Sequence, residues 1–112
     1  MVLVVHEGKG TLVCCNQPMV HLPEKHGDEE GKEKHVPIVE KRESGIKVKV
    51  GSVPHPMVDD HYIQWIEVMG DTYLQTSTLK PGDNPEKEFC VPFDSVKKVR
   101  IYCNKHGFWV TH

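Results

Sequence analysis

Ile46, Val48 and Val50 alternate with Lys47 and Lys49, the period-two pattern of a strand with one face buried. The pattern returns at Val99, Ile101 and Cys103, with Arg100 and Tyr102 on the other face. Residues 36–41, 61–69 (HYIQWIEVM) and 72–79 (TYLQTSTL) are rich in β-branched and aromatic side chains and read as strands. Residues 88–93 form a shorter strand whose Pro92 marks an edge or an end, and residues 108–111 close the chain. Turn chemistry separates these runs at Glu43-Ser44-Gly45, Gly70-Asp71, Pro81-Gly82-Asp83-Asn84-Pro85 and Asn104-Lys105-His106-Gly107. No segment shows the spacing of a long amphipathic helix. About seven short strands so punctuated predict an all-β chain, an immunoglobulin-like antiparallel β-sandwich.

The first third of the chain follows a different pattern. Residues 2–5 and 11–14 are strand-like, and Glu7-Gly8-Lys9-Gly10 between them offers a turn, so a short N-terminal hairpin extension is expected. Residues 23–34 (PEKHGDEEGKEK) have no apolar period and read as a charged connector. The expected division is an extension and connector over 1–32 and a sandwich over 33–112.

Composition narrows the function. The chain has 112 residues, 38 % hydrophobic and 27 % charged, with a formal net charge of −2; this is one small domain without the concentrated basic surface that nucleic acid requires. No apolar run has membrane-spanning length. The apolar start is broken by His6 and Glu7, too soon for a signal-peptide core, so the cytoplasm is the expected compartment. Of the four cysteines, Cys14 and Cys15 are adjacent, with Cα atoms about 3.8 Å apart, shorter than an ordinary disulfide needs. Cys90, inside EFCVPF, reads as a small core residue. Eight histidines in so short a chain point to a metal.

Gly51-Ser52-Val53-Pro54-His55-Pro56-Met57-Val58-Asp59-Asp60-His61 sets two histidines around a proline-stiffened turn. Pro54 and Pro56 restrict the backbone on both sides of His55, which suits an aimed imidazole as well as a tight surface loop. His35 begins a strand, and Cys103 and His106 form a C-x-x-H step at a strand end. That step alone is weak, since Cys103 also fits a buried core cysteine. Together the five exceed the four ligands of a structural zinc, and an imidazole-dominated set with one thiolate suits iron.

The blocks Glu33-Lys34-His35-Val36-Pro37, Lys47-Val48-Lys49-Val50-Gly51-Ser52-Val53-Pro54-His55-Pro56-Met57, His61-Tyr62-Ile63-Gln64-Trp65-Ile66-Glu67 and Tyr102-Cys103-Asn104-Lys105-His106-Gly107-Phe108-Trp109 resemble, in order and spacing, the superoxide reductases (desulfoferrodoxin and neelaredoxin). The resemblance implies one non-haem iron per chain, with His35, His55, His61 and His106 as equatorial ligands and Cys103 as the axial thiolate. It implies that Glu33 binds the ferric ion as a sixth ligand and leaves on reduction, and that Lys34 attracts superoxide and helps proton delivery. The implied reaction is one-electron reduction of superoxide to hydrogen peroxide without dismutation. A rubredoxin-like or other small redox protein would return the electron, and a homo-oligomer, dimer or tetramer, is expected.

Leu12-Val13-Cys14-Cys15-Asn16-Gln17-Pro18-Met19 resembles the end of the desulforedoxin domain that precedes some of these enzymes. Only its adjacent cysteine pair is matched, so a remnant without a second, four-cysteine iron is expected. His6, His21, His26 and His112 match no block and read as surface histidines. Trp65 and Trp109 read as core and site-wall aromatics, and Lys47 and Lys49 as a solvated strand face. Two alternatives use the same residues: a non-catalytic iron electron-transfer or metal-binding module, and a sandwich interaction domain with a structural zinc. Glu33-Lys34 beside His35 favours the enzyme, because an electron carrier needs no lid over an open site.

Overall fold

The computed structural model describes residues 1–26 and 32–111, and of Lys32 and Glu33 the backbone only. In chain order the elements are β1 (Val13–Cys14), β2 (Gln17–Pro18), β3 (Glu24–Lys25), the single-turn helix α1 (Lys32–His35), β4 (Pro37–Arg42), β5 (Gly45–Val50), β6 (Ile63–Met69), β7 (Leu74–Thr78), β8 (Glu86–Phe89), β9 (Lys98–Cys103) and β10 (Gly107–Thr111). A 3-10 turn, Phe93–Ser95, joins β8 to β9. One sheet has the order β3-β10-β9-β6-β7 and the other β4-β5-β8. The seven strands from β4 to β10 make the expected all-β sandwich.

Alternation builds the core. Ile46, Val48 and Val50 on β5 and Phe89 on β8 face Ile63, Ile66, Val68, Val99, Ile101, Cys103 and Trp109 of the larger sheet. Burying each branched or aromatic side chain contributes about 1.5–3 kcal/mol. The β4–β5 hairpin needs glycine at position 45, where a Cβ would collide with the Phe89 carbonyl oxygen on the neighbouring strand. On the far side of the larger sheet, Glu67 is fully buried. Arg100 donates to its Oε1 through Nε at 2.7 Å, and Trp65 Nε1 donates to Oε2 at 3.2 Å. Arg100 and Lys98 also reach Glu24 on β3, at 3.0 and 2.7 Å.

Three expectations are corrected. Residues 2–5 are not a strand. The N-terminal hairpin pairs β1 with β2, and its turn lies at Cys15-Asn16, both with positive φ (53° and 63°), as a two-residue hairpin loop of the primed type requires. A short apolar run signals a strand only where a partner edge exists to pair with it. Second, the connector is not wholly a solvated loop, because Glu24 and Lys25 pair in parallel with Phe108 and Trp109. Third, Cys90 is exposed. Phe89 and Val91 are buried on either side of it, so strand parity turns the thiol outward. The remaining strands lie within two residues of where the pattern places them, except that β8 ends at Phe89 rather than residue 93, where Pro92 and the 3-10 turn take over, and that His35, expected to begin a strand, instead ends α1.

The register sets the ends of several strands together. Pro37 pairs with Val50, Ile63 with Cys103, and Gly107 with Cys103. The start of β4, the end of β5, the start of β6, the end of β9 and the start of β10 therefore meet at one end of the sandwich. His35, His55, His61, His106 and Cys103 all hang from that end.

Candidate metal centre

His35 closes α1 just before β4. His55 and His61 belong to the long β5–β6 connection, Cys103 ends β9, and His106 lies in the turn to β10. The β5–β6 connection is held by its own backbone. Val58 and His61 exchange both amide bonds, at 3.0 and 3.1 Å, and Gly82 N donates to Met57 O at 2.9 Å. Gly107, at φ 80°, closes the turn that carries His106.

All five expected donors meet: one ligand atom from each of His35, His55, His61, Cys103 and His106 lies within 4.8 Å of every other. The imidazoles form a closed cycle of edge-to-face neighbours. His35 meets His55 (4.7 Å between ring centroids, 69° between planes), and His55 meets His61 (4.8 Å, 81°). His61 meets His106 (5.0 Å, 69°), and His106 returns to His35 (4.8 Å, 75°). His35 thus sits across from His61, and His55 across from His106. Cys103 Sγ is 3.7 Å from His106 Nδ1 and is fully buried.

The nitrogens converge in a way that ordinary hydrogen bonding does not explain. His35 Nε2 is 3.1 Å from both His55 Nε2 and His106 Nδ1. A neutral imidazole nitrogen either carries one proton or one lone pair, so it cannot satisfy both neighbours as donor. His55 Nδ1 lies 2.7 Å from Pro56 O; a carbonyl accepts only, so Nδ1 holds the proton and Nε2 presents its lone pair inward. His61 Nε2 is buried and has no hydrogen-bond partner among the described residues, a costly arrangement without a ligand. Two nitrogens bound to one ion at about 2.1 Å, at right angles, lie about 3.0 Å apart, close to the spacings seen here. The donor set fits a transition-metal ion.

The surroundings favour the neutral form of two of these rings, His55 and His61. Burial pushes His55 down from 6.5 to about 4, against the opposing pull of the Pro56 carbonyl, with the other imidazoles adding to the drop. His61 is also lowered, first by burial, then by the charges of His106 and Lys105; Asp60 opposes and Lys34 adds a smaller push. Neutral imidazole is the ligating form.

Trp109 forms the wall expected of it. Its indole stacks on His35 (4.7 Å, 14°) and its Nε1 donates to His106 O at 3.1 Å, so one buried side chain packs on one ring and pins the backbone that carries another. Lys25 Nζ lies 5.5 Å over its outer face. Trp65 is half-buried on the opposite side of the sheet, away from the cluster. Lys34 is exposed beside His35. The Glu33 side chain and His112 lie outside the described residues. Lys47 and Lys49 pair with Glu86 and Glu40 along their strand face. Asn104 was not among the expected site residues, yet it bonds to the chain on both sides of His61. Its position between Cys103 and His106 was the available signal, since Asn at a strand end favours local side-chain-to-backbone bonds.

Comparison with known proteins agrees with this geometry. A family model described as desulfoferrodoxin matches residues 18–112, and one described as the desulfoferrodoxin N-terminal domain matches residues 1–22. A desulfoferrodoxin homolog of Methanothermobacter thermautotrophicus is 55 % identical over 109 residues, covering 97 % of this chain and 87 % of that protein. The desulfoferrodoxin of Nitratidesulfovibrio vulgaris is 52 % identical over 110 residues, covering 97 % and 85 %. The crystal structure of the superoxide reductase from Treponema pallidum superposes with a TM-score of 0.78 at 35 % identity, covering 92 % of this chain and 80 % of that one.

Proposed function

The chain belongs to the desulfoferrodoxin family, and from that premise we propose that it is a superoxide reductase, reducing superoxide to hydrogen peroxide by one electron at a single non-haem iron and making no oxygen. The observation that carries this reading is the closed cycle of four imidazoles beside one buried thiol. His35, His55, His61 and His106 would hold the iron through imidazole nitrogens, and Cys103 would hold it through its sulfur. Five donors of this kind exceed a structural zinc and suit iron.

Burial supports the orientation. Cys103 lies in the core, whereas His106 is exposed and His61 half-buried, so protein backs the thiol side and solvent meets the other. Iron, when bound, supplies the electron and takes its replacement from an outside donor. The chain's own residues do the rest. Bound to the metal as a thiolate, Cys103 would donate electron density to it and make electron loss easier, as thiolate ligation does elsewhere. It is the single negative charge among the five donors, so a divalent ion leaves the site net positive and attractive to an anion. Lys34, exposed beside His35, would add to that field and is the proposed source of a proton for the reduced product. Glu33, one residue before it, is the proposed reversible sixth ligand.

The remaining assignments rest on the same reading. We assign residues 33–112 to the iron domain and residues 1–32 to a desulforedoxin-like N-terminal segment that carries Cys14 and Cys15. The donor is a rubredoxin-like or similar small redox protein, the assembly a dimer or tetramer, and the compartment the cytoplasm. Among the described residues no helix is long and apolar enough to cross a membrane.

The purified protein is expected to hold about one iron per chain, to be nearly colourless when reduced, and to turn blue with superoxide through thiolate-to-ferric charge transfer. A reductant should bleach it again. Zinc as the sole metal, with no coloured oxidised form, would sink this reading.

A further inference from the structure

We propose that Asn104 is a positioning residue for the metal centre: its amide grips the backbone on both sides of His61 and locks that imidazole to the strand end that carries Cys103 and His106. This rests on the five-donor reading above.

The β6–β9 ladder has its last pair at Ile63 and Cys103, with a register irregularity between Ile63 and Trp65. One residue further along, Asn104 N donates to Tyr62 O at 3.2 Å. The Asn104 side chain then continues the pairing where strand geometry has ended. Tyr62 N donates to Asn104 Oδ1 at 3.0 Å, and Asn104 Nδ2 donates to Asp60 O at 3.1 Å. The two side-chain bonds hold the peptide groups before and after His61, and the backbone bond holds the next one along. Both amide atoms have unambiguous partners, since an N–H only donates and a carbonyl only accepts, so the orientation of the amide is fixed.

No other side chain of this size does the same work. Aspartate keeps an acceptor for Tyr62 N but has no donor for Asp60 O. Alanine leaves both groups without a protein partner. His61 needs such a clamp more than its neighbours do. His55 is aimed by two prolines and by the Pro56 carbonyl, and His35 and His106 are held by Trp109. His61 sits in the tight Val58–His61 turn, which is tied to β9 through Asn104. Asn104 lies between Cys103 and His106 in the chain, so its amide ties the backbone around His61 to the segment that carries both of those donors.

The test compares wild type, Asn104→Ala and Asn104→Asp with cobalt(II) as the probe metal, whose visible bands report coordination geometry without any turnover. Competition with a chelator should show cobalt bound about 10- to 100-fold more weakly by the alanine variant, the usual cost of losing a group that orients a ligand. The aspartate variant should fall between. The cobalt bands should shift in both, while the thermal midpoint of the metal-free protein moves little. Unchanged affinity and bands in the alanine variant overturn the proposal. So does a loss of affinity matched by an equal loss of metal-free stability, which is the mark of a general folding role. If the alanine variant fails to fold, an aspartate variant with wild-type affinity and bands overturns it. Wild-type protein that binds cobalt but neither takes up iron nor reacts with superoxide would count against the functional reading and leave this one standing.

Discussion

Cys103 lies at the inner end of β9, fully buried, with imidazoles from three other segments gathered around its sulfur. Cys14 and Cys15 lie at an exposed hairpin turn, their sulfurs 3.7 Å apart. Among the described residues, the cluster at Cys103 is the one group of three or more such donors. The two regions hold the same chemistry in different mechanical settings. At the sandwich end, strands whose register is fixed by a packed core deliver donors from α1, the β5–β6 connection, β9 and the β9–β10 turn. In the N-terminal segment, Met1, Val2, Val4, Val5, Leu12, Val13 and Val20 are all exposed, so no comparable core fixes the turn. Donor atoms become a site when separate, rigid elements converge on a dry place.

Replacing the sulfur at the built end should break the comparison most severely. Cys103→Ser is expected to abolish the blue oxidised form and to lower superoxide reduction by at least about 100-fold, more than the loss of an outer-sphere partner costs. Stopped-flow absorbance reads both. A variant that keeps the colour would mean that another group supplies the thiolate.

Acid should expose the cost of keeping those rings neutral. Burial holds His55 at about 4 against an ordinary 6.5, and His61 is displaced the same way, first by burial. Between those pH values the unfolded chain binds protons that the folded one does not, so stability rises with pH there. Metal-free protein should therefore lose stability as pH falls from 6.5 toward about 4, with a lower urea midpoint at pH 5 than at pH 7.5. A midpoint that holds or rises in acid would show that these imidazoles are not the neutral, buried groups described.

Much of the built end was legible in the sequence. The alternation at Ile46, Val48, Val50, Val99, Ile101 and Cys103 is read from side-chain parity, which a half-buried strand imposes on every residue. The histidines were candidates from their number and their places in loops and at strand ends, but local spacing left them open, and the resemblance of four blocks to a known family joined them into one set. The errors fall where a residue's fate depends on a partner distant in the chain. Residues 2–5 have strand chemistry but no edge to join, and Glu24 pairs with Phe108 although nothing nearby announces it. Cys90 was misplaced by one step of parity, because where β8 leaves the ladder cannot be seen from EFCVPF. Asn104 was passed over for a related reason: its bonds run to Asp60 and Tyr62, more than forty positions away.

A smaller effect is expected at the rim. Lys34 is exposed and its charge reaches His61, so Lys34→Ala should slow the encounter with superoxide by about 3- to 10-fold and flatten its dependence on salt. Iron content should not change. Rapid kinetics at two ionic strengths decide the matter, and a rate that stays put at low salt removes Lys34 from the role.

The smallest effect is expected where the chain leaves its cysteines unsupported. Cys14→Ser and Cys15→Ser, singly and together, should alter stability by less than about 0.5 kcal/mol, as surface changes away from packed features usually do. Iron content and the blue oxidised form should stay as in wild type, because neither sulfur approaches the five donors that cluster around Cys103. Metal analysis of the double variant is the sensitive measurement. A drop in bound metal with the blue band intact would mean that the exposed pair holds an ion of its own, drawing its other ligands from elsewhere. The contrast between the two regions would then be one between a site complete within the fold and a site completed from outside it.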